Sequence, residues 1–153
     1  MRAGTDALRD PAVLTGRGAL VFDALGISSS GLLVHRKWLD AVSDNMANVN
    51  TVNPYDEAPF RERLIAAEAV EYGSGEGGVR TAQAQFGGDP EGRVVFEPDH
   101  PMANEEGYVR YPDVDLGDQM VQLLMAQRGY QANLAVVERA TSAYQAALQL
   151  GKR

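Results

Sequence analysis

The 153-residue sequence contains no cysteine and only 7% aromatic residues. The absence of cysteine excludes disulfides, thiolate metal sites and cysteine nucleophiles. The scarcity of aromatic side chains predicts a thin hydrophobic core. No apolar run approaches the roughly 20 residues that a membrane-spanning helix requires, and charged residues and glycines interrupt any signal-peptide core in the first 20 positions. The net charge of −7 argues against non-specific nucleic-acid binding, because such binding requires a basic surface.

Charge and composition divide the chain into three parts. Residues 54–113 contain thirteen acidic and five basic residues, half of the glycines and six of the seven prolines, whereas the flanks are nearly neutral and helically periodic. We therefore expect an α+β fold, in which long N- and C-terminal helices pack as a coiled-coil-like hairpin with a small irregular β segment between them. The expected boundaries are 1–20 for a disordered or misannotated N-terminal extension, 21–53 for the first helix and its exit loop, 54–113 for the acidic β-rich segment, and 114–153 for the C-terminal helix.

The C-terminal helix is the clearest element. Residues 116–150 lack proline, and apolar side chains recur there at alternating four- and three-residue spacing, which predicts a heptad seam on one long helix. Gly151 supplies a stop signal, and Lys152 and Arg153 suit the negative end of the helix dipole. Such a helix is about 50 Å long. It is longer than the first helix, so part of its seam has no partner within the chain.

The first helix is predicted to begin at the serine run 28–30, because serine is a good N-cap. It is predicted to end in the asparagine-rich run 45–51. His35 lies in its apolar stripe and is interpreted as a hydrogen-bonded residue of that stripe and not as a metal ligand.

Both helices carry more apolar surface than a hairpin of this size can bury, which favours contacts between molecules. The residues predicted to form these assembly contacts are Leu32, Leu39, Val42, Met46, Leu116, Met120, Leu123, Tyr130, Leu134, Val137, Tyr144 and Leu148.

Short strands are predicted in the middle segment, at 60–70, 79–86, 93–97 and 108–111. Residues 64–69 within the first of these are equally good helix formers. The run Gly73-Ser74-Gly75-Glu76-Gly77-Gly78 matches the dinucleotide fingerprint G-x-G-x-x-G. The residues that follow it make a poor helix start, and Glu76 would repel phosphate, so we interpret the run as a hairpin or linker.

One acidic cluster resembles a metal or acid–base site. It consists of Glu97, Asp99, His100, Glu105 and Glu106. Because the sequence offers few side chains to wall a pocket, and neighbouring prolines favour a turn, we predict no catalytic residue, no cofactor and no metal here. An enzyme that uses these carboxylates stays open as an alternative, and so does a small coiled-coil adaptor.

Two motifs carry a resemblance to a known family. The first is Phe22-Asp23-Ala24-Leu25-Gly26-Ile27-Ser28-Ser29-Ser30-Gly31-Leu32, with Asp44-Asn45-Met46-Ala47-Asn48-Val49-Asn50-Thr51 further along. The second is Glu105-Glu106-Gly107-Tyr108-Val109-Arg110-Tyr111-Pro112, which leads into Gln127-Arg128-Gly129-Tyr130-Gln131-Ala132-Asn133. These motifs resemble those of the flagellar axial proteins and, within them, the proximal-rod subunits of the FlgC type. The resemblance covers residues 21–151.

The chain departs from the family pattern at a few positions. Asp44 and Met46 stand where the family usually has Asn and Ile, and Met102 stands where an acidic residue is common. Gly129 replaces a frequent Ala, which costs about 1 kcal/mol of helix propensity. Residues 1–20 have no counterpart in the family, and we expect translation of the native protein to start at Val21.

The resemblance implies a structural protein of the bacterial flagellar basal body with no enzymatic activity and no cofactor. It implies export by the flagellar type III apparatus without a cleaved signal peptide, and a location in the cell envelope. The implied partners are copies of the chain, other rod subunits and the base formed by the membrane ring and export gate, with no nucleic acid and no small-molecule substrate. The assembled tube would transmit torque and conduct exported subunits. The alternative within this class is another rod or hook-related subunit.

Overall fold

The computed structural model describes residues 11–73 and 76–151 of the chain. Residues 1–10 of the expected N-terminal extension lie outside the described residues, as do Lys152 and Arg153, which were expected at the helix dipole. Within the described ranges, two long helices flank six short strands. In chain order the elements are α1 (Pro11–Asn48), β1 (Arg63–Leu64), β2 (Ala67–Gly73), β3 (Glu76–Thr81), β4 (Gln85–Phe86), β5 (Arg93–Phe96), β6 (Tyr108–Tyr111) and α2 (Leu116–Leu150).

The bounds of α2, Leu116–Leu150, agree with the sequence prediction. Asp115 caps its first turn, because its carboxylate accepts a hydrogen bond of 3.0 Å from the backbone N–H of Asp118. The last turn closes at Gly151, whose N–H donates to the carbonyl of Ala147 at 3.1 Å. Both ends of α2 are therefore fixed by local hydrogen bonds.

The predicted start of α1 is wrong. The helix begins at Pro11, and the serine run 28–30 lies inside it. With 38 residues α1 is longer than α2, which has 35, so the expectation that the C-terminal helix outreaches the first is also wrong. The hydroxyls of Ser29 and Ser30 donate to backbone carbonyls three residues earlier, at 3.0 and 2.8 Å. A serine inside a helix can satisfy its hydroxyl in this way without ending the helix. No break in α1 marks residue 21, where the sequence analysis placed a boundary.

The two helices pack against each other as an antiparallel hairpin. Asn45, near the end of α1, bonds to Gln119, near the start of α2, at 3.0 Å. Gly31 lies earlier in α1 and packs against Asn133, which lies later in α2. Residues late in α1 therefore lie beside residues early in α2, and the reverse, so the two helices run in opposite directions. This arrangement, with strands between the helices, confirms the predicted α+β class.

The strands form three separate antiparallel pairs, β1 with β4, β2 with β3, and β5 with β6. In the segment 64–69, for which helix and strand were equally favoured, Leu64 belongs to β1 and residues 67–69 to β2, while residues 65–66 lie between the two strands. The β2–β3 pair is attached to α1. The backbone N–H of Val79 donates to the hydroxyl of Ser30 at 3.0 Å, and Lys37 donates to the hydroxyl of Thr81 at 2.9 Å.

The core is small and aliphatic. The buried apolar side chains among the described residues are Val34, Ala41, Val42, Val109, Val114 and Ala126. None of these is aromatic, in agreement with the thin core that the composition predicts. Over the described residues, neither helix combines the length and the apolar character needed to cross a bilayer.

Candidate assembly surface

The face of α2 that packs on α1 consists of small and polar residues. Gln119 and Ala126 are buried there, and Gly129 and Asn133 continue the same face at helical spacing. A Cβ atom at Gly129 would overlap the imidazole ring of His35, so the two helices approach each other closely at this point. The hairpin thus leaves one side of the predicted heptad seam, at Leu116, Met120 and Leu134, outside its contact.

The predicted seam residues of α2 differ in their exposure. The exposed ones are Leu116, Met120, Leu134, Tyr144 and Leu148. The half-buried ones are Leu123, Tyr130 and Val137. Met120, for example, is 59% exposed. Exposed large apolar side chains on a small chain are typical of a surface that binds another molecule.

The predicted contact residues of α1 are less accessible. Leu32, Leu39 and Met46 are half-buried. Val42 is only 1% exposed and belongs to the core of the chain itself. Of the predicted contact residues of α1, therefore, a second molecule could reach the three half-buried ones, and Val42 acts by holding the hairpin together.

His35 stacks on Trp38, one turn further along α1, with ring centroids 5.9 Å apart and an angle of 18° between the rings. The indole N–H of Trp38 donates to the side-chain oxygen of Gln122 at 3.0 Å, which links this stack to α2. The expectation that His35 is hydrogen-bonded is wrong for Nδ1, which is buried and has no partner among the described residues. Packing against Gly129, and not hydrogen bonding at Nδ1, accounts for a histidine in this stripe.

A buried polar network that no sequence pattern predicted surrounds Asn45, which is 1% exposed. The Asn45 side chain donates to the backbone carbonyl of Arg63 and accepts from the Arg63 N–H, at 3.0 and 2.8 Å. It also donates to Gln119 at 3.0 Å, and Gln119 donates in turn to Glu62 at 2.6 Å. This network joins α1, α2 and β1. The signal that could have revealed it is the asparagine of the N-terminal motif, which we interpreted only as part of a helix end.

In the second sequence motif, Val109 and Tyr111 lie on the inner side of the β5–β6 pair, and Pro112 follows the strand. We call the residues Tyr111-Pro112 the Tyr-Pro motif. Val109 is fully buried, and Pro112 is also buried. The hydroxyl of Tyr111 donates to the carboxylate of Glu97 at 3.1 Å. Because that hydrogen bond requires the protonated phenol, it raises the pKa of Tyr111 above its ordinary value. The motif thus fixes the fold of the middle segment.

Arg110 anchors β6 to the exit loop of α1. Its backbone N–H and carbonyl pair with those of Asn53 at 3.0 and 2.9 Å. Its guanidinium pairs with Glu91, which raises the pKa of Arg110, and it lies 4.8 Å from the ring centroid of Tyr55. These contacts hold the β5–β6 pair against the end of α1.

The acidic cluster at residues 97–106 forms a turn. The Nδ1 atom of His100 accepts a hydrogen bond of 3.1 Å from the backbone N–H of Met102. Asn104 accepts from the N–H groups of Glu106 and Tyr108, at 3.1 and 2.8 Å. The predicted turn is confirmed, with His100 as a hydrogen-bonding turn residue. In the part of the chain that the structure describes, no group of three or more acidic or histidine side chains has the geometry of a metal site.

The glycine-rich run connects β2 to β3. Gly73 pairs with Glu76 across the turn, and Glu71 pairs with Gly77. Ser74 and Gly75 lie outside the described residues. The interpretation as a hairpin is therefore confirmed, since the segment after the glycines is a strand and not the helix that a pyrophosphate site requires.

The class of the protein follows from comparison with known sequences. Residues 105–150, which include the Tyr-Pro motif and α2, match the family model described as the C-terminal region of the flagellar basal body rod FlgEFG proteins. Over these residues the chain is similar to flagellar basal-body rod proteins.

Relatives over most of the chain identify the family more closely. The chain is 37% identical over 133 residues to the flagellar basal-body rod protein FlgC of Yersinia enterocolitica, with 86% of this chain and 96% of the relative covered. It is 34% identical to FlgC of Salmonella typhimurium over the same shares. It is 31% identical to FlgC of Borreliella burgdorferi, with 85% of this chain and 97% of the relative covered. The chain belongs to the FlgC family of flagellar basal-body rod proteins.

Membership of this family makes the chain a structural rod subunit of the flagellar basal body and not an enzyme. It assembles with other components of the rod. The side chains discussed above therefore matter for packing and assembly, and the enzymatic alternative for the acidic turn is set aside.

Proposed function

We propose that the chain is a subunit of the proximal rod and assembles through its terminal helices into the tubular drive shaft of the flagellum. In this role it transmits torque and forms part of a conduit for exported subunits. It is itself exported by the flagellar type III apparatus without a cleaved signal peptide. Its partners are copies of itself, other rod subunits and the base formed by the membrane ring and the export gate.

The single observation that carries this proposal is the position of the heptad seam. The hairpin packs through the face that contains Gln119 and Ala126, whereas Leu116, Met120 and Leu134 remain exposed. Burial of each such side chain stabilises a contact by about 1.5–3 kcal/mol. Several of these side chains per copy are enough to drive association between neighbours.

The exposed stripe also suits an open assembly. Every copy presents the same stripe along a helix of 35 residues. A contact between this stripe and a different surface of the next copy does not close on itself, so subunits can be added in a helical series. The half-buried residues of α1, Leu32, Leu39 and Met46, are proposed as the receiving surface.

The test is the replacement Leu134→Asp in the native flagellated cell. Leu134 is 39% exposed, so a carboxylate there is solvated in the free chain, whereas in an assembled seam it is buried without a partner. We expect the purified variant to keep its helical circular dichroism, to be absent from isolated hook–basal bodies, and to abolish swimming. Leu134→Met, which keeps an apolar side chain, is the matched control and is expected to swim.

Mass spectrometry of hook–basal bodies with the unaltered chain provides the reference. The chain is expected there in stoichiometric amounts. Normal incorporation of Leu134→Asp would contradict the role of the seam, and absence of the unaltered chain from complete basal bodies would contradict the rod assignment.

A further inference from the structure

Three of the four residues on the outer face of the β5–β6 pair are apolar or aromatic, and the fourth, Arg110, lies opposite Val94 and is paired with Glu91. Val94 and Phe96 alternate with the inward residue Val95 on β5, and Tyr108 lies opposite Phe96 on β6. Phe96 is 61% exposed and makes an edge-to-face contact with Tyr108, with centroids 5.3 Å apart. We name Val94, Phe96 and Tyr108 the outer aromatic patch.

Carboxylates lie at one end of this patch. The turn between the two strands carries exposed side chains of Asp99, Glu105 and Glu106 and contains no lysine or arginine. None of these three carboxylates forms a salt bridge in the described part of the chain. The outer aromatic patch therefore favours a partner that is both apolar and basic.

The chain itself carries a surface of that chemistry on α2. Exposed residues at helical spacing form a second stripe, distinct from the heptad seam and on the other side of the hairpin contact. The members of this basic stripe are Val121, Met125, Arg128, Ala132, Val136 and Arg139. Met125 is 56% exposed, and neither arginine forms a salt bridge with a described residue.

The basic stripe is free of opposing charge. Glu138 is the one acidic residue between Val121 and Arg139, and it lies four residues after Leu134, on the seam side of α2. The dimensions also agree, because the stripe from Met125 to Val136 is about 16 Å long and a four-residue strand is about 13 Å long. Within one chain the two surfaces do not meet, since among the described elements α2 packs against α1.

We propose that the basic stripe of one copy binds the outer aromatic patch of a second copy. The apolar side chains of α2 cover Phe96 and Tyr108, while Arg128 and Arg139 pair with the carboxylates of the turn. The two surfaces differ, so the contact is heterologous and each copy can engage one neighbour through each surface. This proposal rests on the proposed rod assembly and assigns a role to the middle segment within it.

The test places a photoreactive benzoylphenylalanine at position 96 of the full chain in the native cell. On irradiation of isolated hook–basal bodies, we expect a covalent dimer in which mass spectrometry links position 96 to a peptide within residues 121–139. The same probe at Phe86, an equally aromatic and 55% exposed position on β4, is the control and is expected to give no such link.

Charge reversal gives a second, independent readout. The pair of changes Arg128→Glu and Arg139→Glu is expected to lower the yield of this dimer about tenfold, because two attractive contacts become repulsive. Adding Glu105→Lys and Glu106→Lys to the same chain is expected to restore it. Incorporation of the chain into basal bodies without the position-96 link, or with a link to another protein, overturns this contact and leaves the rod assignment standing. Absence of the chain from basal bodies overturns both.

Discussion

The imidazole ring of His35 occupies the space that the missing side chain of Gly129 leaves open between α1 and α2. Glycine in the middle of a long helix costs about 1 kcal/mol relative to alanine. Because His35, stacked on Trp38, packs closely against this part of α2, a glycine is found at position 129 despite this cost. Where the family frequently has alanine, this chain pairs a glycine on one helix with a large ring on the other.

We therefore expect Gly129→Ala to destabilise the chain despite its better helix propensity. The added methyl group overlaps the His35 ring, and overpacking of this kind typically costs about 1–3 kcal/mol. Urea unfolding followed by circular dichroism measures the change in the free energy of unfolding.

The control for that prediction is the same substitution in a His35→Ala background. Without the ring there is no overlap, so Gly129→Ala is expected to stabilise that background by up to about 1 kcal/mol. Stabilisation by Gly129→Ala in both backgrounds would show that the ring and the glycine are not coupled.

The buried network around Asn45 leads to a second prediction. Asn45→Ala leaves the backbone groups of Arg63 and the side chain of Gln119 without their partners, at a cost of about 2–3 kcal/mol. The exposed Asn50, in the same asparagine-rich run, is the matched control, and Asn50→Ala is expected to change stability by less than about 0.5 kcal/mol. Equal effects of the two substitutions in urea unfolding would contradict a special role for Asn45.

The sequence predicted α2 more accurately than α1, for physical reasons that particular residues illustrate. In α2 the absence of proline, the Asp115 cap and the stop at Gly151 all agree with the periodic pattern. In α1 the serines at 28–30 are good caps in isolation, but their hydroxyls can also bond to the preceding turn, and the sequence does not decide between these options.

The candidate assembly surface was likewise predicted only in part from the sequence. The heptad spacing identified an apolar stripe on α2, but the spacing alone could not tell which face the hairpin would use. That choice depends on small and polar residues such as Ala126, Gly129 and Gln119, which a search for apolar side chains passes over. The partners of Asn45 are separated from it by 18 and 74 positions in the chain, so local patterns carried no sign of them.

The hydrogen bond between Tyr111 and Glu97 predicts a loss of stability at alkaline pH. The pKa of Tyr111 is raised in the folded chain above its ordinary value, which is about 10. A raised folded-state pKa contributes stability that is fully present below about pH 10 and is lost as the pH rises through the folded-state pKa. We expect the free energy of unfolding to fall above pH 10, and Tyr111→Phe to show a smaller fall.

Comparing the pH dependence of stability in the unaltered chain and in Tyr111→Phe isolates the contribution of Tyr111, because both proteins retain the other five tyrosines. Glu97→Gln serves as a second check, because removing the carboxylate lowers the pKa shift. Identical pH profiles for the unaltered chain and Tyr111→Phe would contradict this assignment.

The N-cap of α2 gives a prediction that isolates one hydrogen bond. Asp115→Ala removes the acceptor for the Asp118 N–H and is expected to destabilise the chain by about 1 kcal/mol. Asp118→Ala removes a carboxylate of the same charge from the same turn but keeps the cap, so its effect is expected to be smaller. Thermal unfolding measures both, and a larger effect of Asp118→Ala would indicate that charge at the helix dipole, and not capping, is the main contribution.

The last ten residues of α2 are expected to gain stability when the rod assembles. Every side chain from 141 to 150 is exposed in the isolated chain, whereas the stretch 119–133 packs on α1 at each turn. Because local opening is easiest at the exposed end of a helix, amide hydrogens of 141–150 are expected to exchange at least about tenfold faster than those of 119–133. In isolated hook–basal bodies the difference is expected to shrink, since neighbouring subunits cover Leu148 and the seam. Equal exchange rates in the free chain, or rates at 141–150 that assembly leaves unchanged, would contradict the proposed contact along this end of the helix.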